Sequence, residues 1–384
     1  MQLLNKLQPL LGSSDLFKDP NSNDNQQGGK GNNNKWNKKN KRNNKQSRVK
    51  LGQGGTLDPL ADGVLVIGTH KATKQLAKFL DCTKEYKAIG LLGCSTDSYD
   101  SDGKRVRTTA WEHVTEESIR QTLDQFRGEI MQMPPVFSAL KMDGKKLCDY
   151  AREGVPLPRP IEARKQIVHN LELLSFTPGD QHTYEWPRES LEQDAKLELE
   201  RLEKMVKDGK TEVPTEQEVE QNPIVESTGQ EASLNPAEAA RPPIFELTMT
   251  VSSGTYVRSI IHDLAIALGT SAHVVKLTRT RQGQFALKDA QSIQVAESGA
   301  SKAEAQTAAI ESLNKAGEEK DAQAEPSALA AQPAPRECVE WDVFEKAIKA
   351  FERRGQSELM TEGKDEETLQ EWEREILRTC EEVN

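Results

Sequence analysis

Leu3, Leu4, Leu7, Leu10 and Leu11 recur at helical spacing and Gly12 follows them, which predicts a short amphipathic helix over 1–12. Residues 13–50 then show no apolar period and read as a disordered arm. Order resumes at Leu51. Val64 to Ile67 is expected to be a short strand, Ala72 to Leu80 a helix, and Lys84 to Leu92 a strand that ends at the turn-rich Thr96-Asp97-Ser98-Tyr99-Asp100-Ser101-Asp102-Gly103. Thr115 can cap a helix running to about Phe126, with Glu116 and Glu117 well placed against its dipole. After the Pro134-Pro135 break, Val136 to Met142 is expected to be a strand and turn, Lys145 to Arg152 a helix, and Gln166 to Phe176 a strand. From Thr177 the period is lost, and residues 180–240 read as a charged insertion with one solvated helix near Leu191 to Val206. Phe245 to Val251 alternates as a strand, Thr255 to Leu268 is an amphipathic helix stopped by Gly269, and His273 to Phe285 completes the core. An Ala/Glu/Gln/Pro-rich linker, Ala296 to Pro335, leads to a helical tail with Trp341, Phe344, Ile348 and Phe351 as its apolar stripe.

Strands mixed with helices, without strict alternation, point to an α+β sheet domain broken by a long insertion. The expected division is 1–12 as an N-terminal helix of the core, 13–50 as the arm, 51–179 and 241–290 as the ordered sheet domain, 180–240 as the insertion, and 291–384 as linker and acidic tail. Composition agrees that much of the chain is not core: of 384 residues only 35% are hydrophobic and 5% aromatic, and the mean hydropathy is -0.71.

The net charge of -10 is spread unevenly along the chain. Residues 185–240 carry 15 acidic and 6 basic side chains and residues 341–384 carry 13 and 7, so the remainder is net positive. Lys30 to Lys50 holds Lys30, Lys35, Lys38, Lys39, Lys41, Arg42, Lys45, Arg48 and Lys50 with no acid. Such a block suits a polyanion; a solubilising linker and a nuclear-import signal around Lys38, Lys39, Lys41 and Arg42 are the other readings. Cys82, Cys94, Cys148, Cys338 and Cys380 form no metal-binding spacing and are expected to be free thiols. No apolar run approaches the length of a membrane span, and the first residues lack a signal-peptide or transit-peptide pattern. A soluble chain of the nucleus or cytoplasm is therefore expected, with a pool in the mitochondrion left open.

The stretch Leu51 to Gly68 carries the chemistry. Gly52, Gly54 and Gly55 permit a close backbone approach, and Pro59 pushes Asp58 out of the helical region, so its carboxylate sits at a loop tip before an apolar run. The third glycine of a dinucleotide fingerprint and the Gly-Lys-Ser/Thr of a phosphate loop are both missing, which argues against nucleotide binding. Gly54-Gly55-Thr56-Leu57-Asp58-Pro59-Leu60-Ala61 closely resembles a motif of the TruB-type tRNA pseudouridine-55 synthases, whose Asp is catalytic. Four further segments extend the resemblance. Lys84-Glu85-Tyr86, Pro134-Pro135-Val136-Phe137-Ser138-Ala139-Leu140-Lys141, Gly254-Thr255-Tyr256-Val257-Arg258 and Leu277-Thr278-Arg279 each follow the family pattern in order.

The resemblance, nearest to the fungal branch, implies a mixed, mainly antiparallel sheet with flanking helices and an isomerase that converts the T-loop uridine of tRNA to pseudouridine. It implies no cofactor, no metal, no membrane, a tRNA partner and a monomer. Asp58 would be the catalytic residue, Arg258 its bidentate partner, Tyr86 the ring stacked on the flipped base, and Leu277 an apolar wall. Gln53, Lys84, Lys141 and Arg279, with Lys38, Lys39, Lys41 and Arg42 of the arm, would contact RNA. The His262-Asp263 pair lacks a nucleophile's context and reads as a solvated helix face.

Two departures stand out. Gln53 occupies the place of the family's histidine, and the strand bearing Lys-Pro that opens the family's domain has no counterpart, so a longer transcript encoding it is expected. The competing readings are guide-dependent modification of another RNA and an RNA-binding or RNA-folding protein on the same scaffold. Intact Asp58, Tyr86 and Arg258 favour catalysis.

Overall fold

The alternating stretches of the chain become a sheet, and the sheet carries the candidate site. The computed structural model describes residues 2–17, 49–153, 155, 157–193, 195–196, 199, 241–288, 336–354 and 369–380. In chain order its elements are α1 (Gln2–Ser13), β1 (Leu51–Gln53), β2 (Asp62–Gly63), β3 (Ile67–Thr69), α2 (Ala77–Asp81), β4 (Lys84–Leu92), β5 (Cys94–Thr96), β6 (Arg105–Thr108), α3 (Glu116–Leu123) and β7 (Gly128–Gln132). Then follow β8 (Lys141–Met142), β9 (Lys145–Lys146), α4 (Leu147–Glu153), β10 (Arg164–Thr177), β11 (Ile244–Val251), α5 (Val257–Ala267), β12 (Ala272–Gln282), β13 (Phe285–Ala286), β14 (Arg336–Glu337), α6 (Trp341–Arg354) and α7 (Glu371–Thr379). They fall into two units: a sheet unit of Leu57–Gly63 and Asp81–Gly283, and a terminal unit of Met1–Thr56, Val64–Leu80 and Gln284–Asn384. The fold is α+β and mainly antiparallel. Among the described residues no helix is long and apolar enough to cross a membrane.

Within the sheet unit the strand order is β7-β10-β11-β4-β12, each neighbour antiparallel, with β2 added in parallel beside β12. Phe245, Leu247, Met249 and Val251 alternate along β11 and all face one core. Strand β10 keeps Val168, Leu171 and Leu173 on that core only because a bulge between Val168 and Asn170 adds one residue and resets the alternation. Opposite Phe245 lies Gly90, where a Cβ would run into the Phe245 ring; its absence lets the ring lie across β4. Helices α3 and α5 close this face with Ile119, Leu123, Val257, Ile260, Ile261 and Leu264. Thr115 caps α3 as expected, accepting from the Ser118 N–H, and Gly269 ends α5 in the left-handed region.

Three expectations change here. The apolar run from Val64 to Ile67 forms no single strand: Asp62–Gly63 and Ile67–Thr69 pair with different partners, and Val64–Val66 runs between them. Val136 to Leu140 is not a strand, because Phe137 and Ser138 commit their carbonyls to the Arg258 guanidinium and the Cys148 N–H; only Lys141–Met142 pairs, in a hairpin with β9 that shortens the helix after it to α4. Residues 179–193 are not free of the core. Tyr184 and Trp186 pack with Leu91, Ile244 and Val275 on the outer face of the sheet, the Trp186 indole donates to Leu92 O at 2.9 Å, and Arg105 exchanges backbone bonds with Glu189 and Leu191. Two aromatics inside an acidic run are the sequence sign of this strap.

The terminal unit has its own core. Leu7, Leu10 and Leu11 of α1 pack with Phe17, Val49 and Trp372, and with Phe344, Ile348 and Phe351 of α6. The tail stripe is thus the seat of the first helix, while Trp341 stays exposed. Phe17 stacks on Trp372, and the Ser14 hydroxyl donates to the buried Glu373 carboxylate. The helix expected over 72–80 is instead a tight 3₁₀ stretch, His70–Gln75, followed by α2. Most of the basic arm, most of the expected 191–206 helix and the whole of the linker lie outside the described residues.

Candidate active site

Asp58 is set by backbone bonds. The Ala61 N–H donates to Asp58 O at 2.9 Å, closing a turn with Pro59 at its second position, where a fixed φ favours the bend. Directly after the turn, Asp62–Gly63 adds in parallel to Thr278–Arg279 of β12. Gly63 lies at φ 96°, and a Cβ there would collide with the Arg279 carbonyl. Leu60 and Ala61 pack on the main core. The loop is therefore pinned on its C-terminal side, and the Asp58 side chain is 32% exposed.

Arg258 enters from the first turn of α5. Gly254 at φ 81° turns the chain out of β11, and the Gln132 side chain then binds Tyr256 at both backbone groups, accepting its N–H at 2.7 Å and donating to its carbonyl at 2.9 Å. The Ser259 hydroxyl donates to Met133 O at 3.0 Å. So held, the buried guanidinium donates from Nε to Asp58 Oδ2 at 2.7 Å, from Nη1 to Ser98 O at 2.6 Å, and from Nη2 to Phe137 O at 3.0 Å. Asp100 Oδ2 stands 3.4 Å from Nη1. The bidentate pairing expected with Asp58 is not what forms, because two backbone carbonyls and a second carboxylate occupy the terminal nitrogens.

That second carboxylate is buried. Asp100 accepts from the Ser98 hydroxyl at 2.6 Å and the Asp102 N–H at 3.1 Å. Burial pushes its pKa up, opposed by the Ser98 hydrogen bond and the Arg258 charge. One cation thus sits between a buried anion and a partly exposed one, an arrangement that aims Asp58 outward with its counter-ion behind it.

Tyr86 of β4 and Arg279 of β12 face each other across the ladder, and the guanidinium hydrogen-bonds the Tyr86 side chain. Burial raises the Tyr86 pKa, Arg279 opposes this, and the Asp58 charge adds to it. Leu277 is buried opposite Ala88. Asp58, Arg258, Tyr86, Leu277 and Arg279 therefore share the sheet unit. Arg279 is 1% exposed and acts on Tyr86 from within. Lys84 is buried too, its ammonium donating to Cys82 O at 2.8 Å; burial first, then Arg279, lowers its pKa. Lys141 is exposed on the β8–β9 hairpin, whose Asp143-Gly144 turn has both residues at positive φ. Gln53 belongs to the terminal unit and donates to Thr56 Oγ1 at 3.3 Å. Lys38, Lys39, Lys41 and Arg42 lie outside the described residues.

Sequence reasoning missed Ser98, Asp100 and Gln132. A Ser-x-Asp in a hydrophilic turn looks like solvent-facing loop; only its proximity to Arg258 in space reveals otherwise. His262, expected on a solvated face, is 6% exposed, its ring stacked on Tyr99 with centroids 3.9 Å apart and planes 12° off parallel.

The TruB family pseudouridylate synthase N-terminal domain matches residues 40–187, and the tRNA pseudouridylate synthase B C-terminal domain matches residues 258–316. The tRNA pseudouridine synthase 4 of Schizosaccharomyces pombe is 39% identical over 75% of this chain and 76% of its own length. The protein of that name from Saccharomyces cerevisiae is 36% identical over 64% of this chain and 63% of its own. The crystal structure of a Cbf5-Nop10-Gar1 complex matches 63% of this chain and 43% of the solved one at 26% identity, with a TM-score of 0.33.

Proposed function

Because the chain belongs to the TruB family of pseudouridylate synthases, we propose that it isomerises the T-loop uridine of tRNA, position 55, to pseudouridine, with Asp58 as the essential carboxylate. One observation carries the reading: a partly exposed Asp58 held by a buried Arg258 at 2.7 Å, in the unit that also presents Tyr86. The tRNA pseudouridine synthases of both yeasts support the substrate class.

The reaction breaks the N1–C1′ bond, turns the base and joins C5 to C1′; the C5 proton leaves and N1 regains one. Asp58 supplies an anion for the electron-poor sugar carbon or for the detached base, as carboxylates do in glycosidic chemistry. Arg258 fixes its direction. A base drawn out of the loop needs a π face and an apolar wall, and Tyr86 with Leu277 provides them. Arg279, bonded to Tyr86, holds that ring in place.

The test is purified chain with unmodified tRNA transcript, scored for pseudouridine. Asp58→Asn keeps shape and removes charge, so it should abolish product while tRNA affinity stays within a few-fold. Turnover by the variant comparable to wild type ends the assignment.

A further inference from the structure

Two of the four groups that hold Arg258 flank a single residue. Ser98 gives its carbonyl to Nη1, Asp100 places a carboxylate 3.4 Å from the same nitrogen, and Tyr99 lies between them. Tyr99 sits at φ 63°, a left-handed conformation that is unfavourable for a bulky side chain and persists only where surrounding contacts impose it. Its backbone is fixed by the Val274 N–H, which donates to Tyr99 O at 3.0 Å, and by the Tyr99 N–H, which donates to Thr96 O at 3.2 Å. Its ring lies on His262, one helical turn beyond Arg258 on α5. The helix that carries the guanidinium and the loop that receives it are thus joined through one pair of stacked rings.

We propose that the Tyr99–His262 stack sets the direction of the Arg258 guanidinium, which makes both residues positioning residues for the isomerisation; the inference rests on the function proposed above. Without the stack, the Ser98 carbonyl and the Asp100 carboxylate lose their register with α5, and Nε turns away from Asp58. The ring, rather than the imidazole's proton or the phenol's hydroxyl, is the required part.

The experiment uses the full chain. Tyr99→Phe and His262→Phe keep both rings; Tyr99→Gly removes one ring yet suits the left-handed backbone better than tyrosine does. Single-turnover pseudouridine formation and tRNA Kd are measured for each, with His262→Ala and the Tyr99→Gly/His262→Ala double variant. Both phenylalanine variants should stay within about threefold of wild type, because the rings still meet. Tyr99→Gly and His262→Ala should each slow the rate by about tenfold or more with Kd within about twofold, since a small misplacement of a catalytic group is costly in rate. The double variant should be no slower than the worse single one, as expected for two residues acting as a unit. Wild-type turnover in Tyr99→Gly, a loss confined to Kd, or multiplying effects in the double variant would overturn the proposal.

A second readout needs no turnover. The Arg258 Nε–H proton, held on Asp58, should give an exchange-protected NMR signal in wild type and Tyr99→Phe that is lost in Tyr99→Gly. An unchanged signal in Tyr99→Gly refutes the stack while leaving the enzymatic reading intact. A wild-type chain inactive on tRNA refutes that reading while the signal still decides on the stack.

Discussion

Replacing Arg258 by lysine tests the central clamp most directly. The guanidinium spends its nitrogens on Asp58 at 2.7 Å, Ser98 O at 2.6 Å, Phe137 O at 3.0 Å and Asp100 at 3.4 Å, in directions no single ammonium can reproduce. An ammonium placed between the two carboxylates leaves both carbonyls without their donors. Hydrogen bonds to a charged group are worth about 1.5–3 kcal/mol each, so losing those to Ser98 O and Phe137 O should cost about 3–5 kcal/mol. For a unit of this size that is a drop of roughly 10 °C in melting temperature. The rate should fall more than stability does, by about a hundredfold at a temperature where the variant is fully folded, because Asp58 is no longer aimed. Thermal melts followed by circular dichroism and single-turnover pseudouridine assays at about 20 °C read the two effects separately. A lysine variant within threefold of wild-type rate and within about 2 °C in melting temperature would show that charge alone suffices and that the four-way geometry is incidental.

His273 is wholly buried, with Nδ1 2.9 Å from Cys94 O, and burial pushes its pKa down to about 4. The unfolded chain therefore binds its proton first: stability is fully present above about pH 6.5 and falls by about 3 kcal/mol as pH drops through to 4, a slope that denaturant titrations should find reduced in His273→Gln. An identical slope in the variant would place the acid sensitivity elsewhere. Replacing residues 200–240 by a Gly-Ser linker should leave turnover and melting temperature unchanged, since that acidic stretch is poorly suited to RNA. Extending the replacement back to residue 182 removes Tyr184 and Trp186 from the outer face of the sheet and should lower the melting temperature by several degrees. Equal melting temperatures for the two deletions would refute the role given to the strap.

What was legible in the sequence shares one property: local encoding. The strand Lys84–Leu92, the Thr115 cap and the Gly269 stop are each written within a few residues, and Asp58 and Arg258 stand in short, distinctive strings. The hidden part depends on long-range pairing. Asp100 and Ser98 look like loop residues until Arg258, some 160 positions later, gives them a buried cation. His262 looks exposed because its cover, Tyr99, comes from a hydrophilic turn. The run Val64–Ile67 is apolar enough for a strand, yet its burial arises from packing and not from a continuous ladder. Gln132 gave no sign of its part because a side-chain amide that mimics a strand partner leaves no periodic trace.

The core that joins α1 to α6 and α7 imposes an order of events on the ribosome. Trp372, against which Leu7, Leu10 and Leu11 pack, is added 362 positions after Leu10. At synthesis rates of 5–20 residues per second the wait is on the order of 20–70 s, during which the whole sheet unit has been made. For that interval the apolar stripe of α1 can cover itself only with Phe17, Val49, Leu51 and Ile67, and it lacks the α6 and Trp372 side of its seat. A chain truncated before α6 keeps that side of α1 bare permanently, a physical difference between an unfinished chain and a finished one.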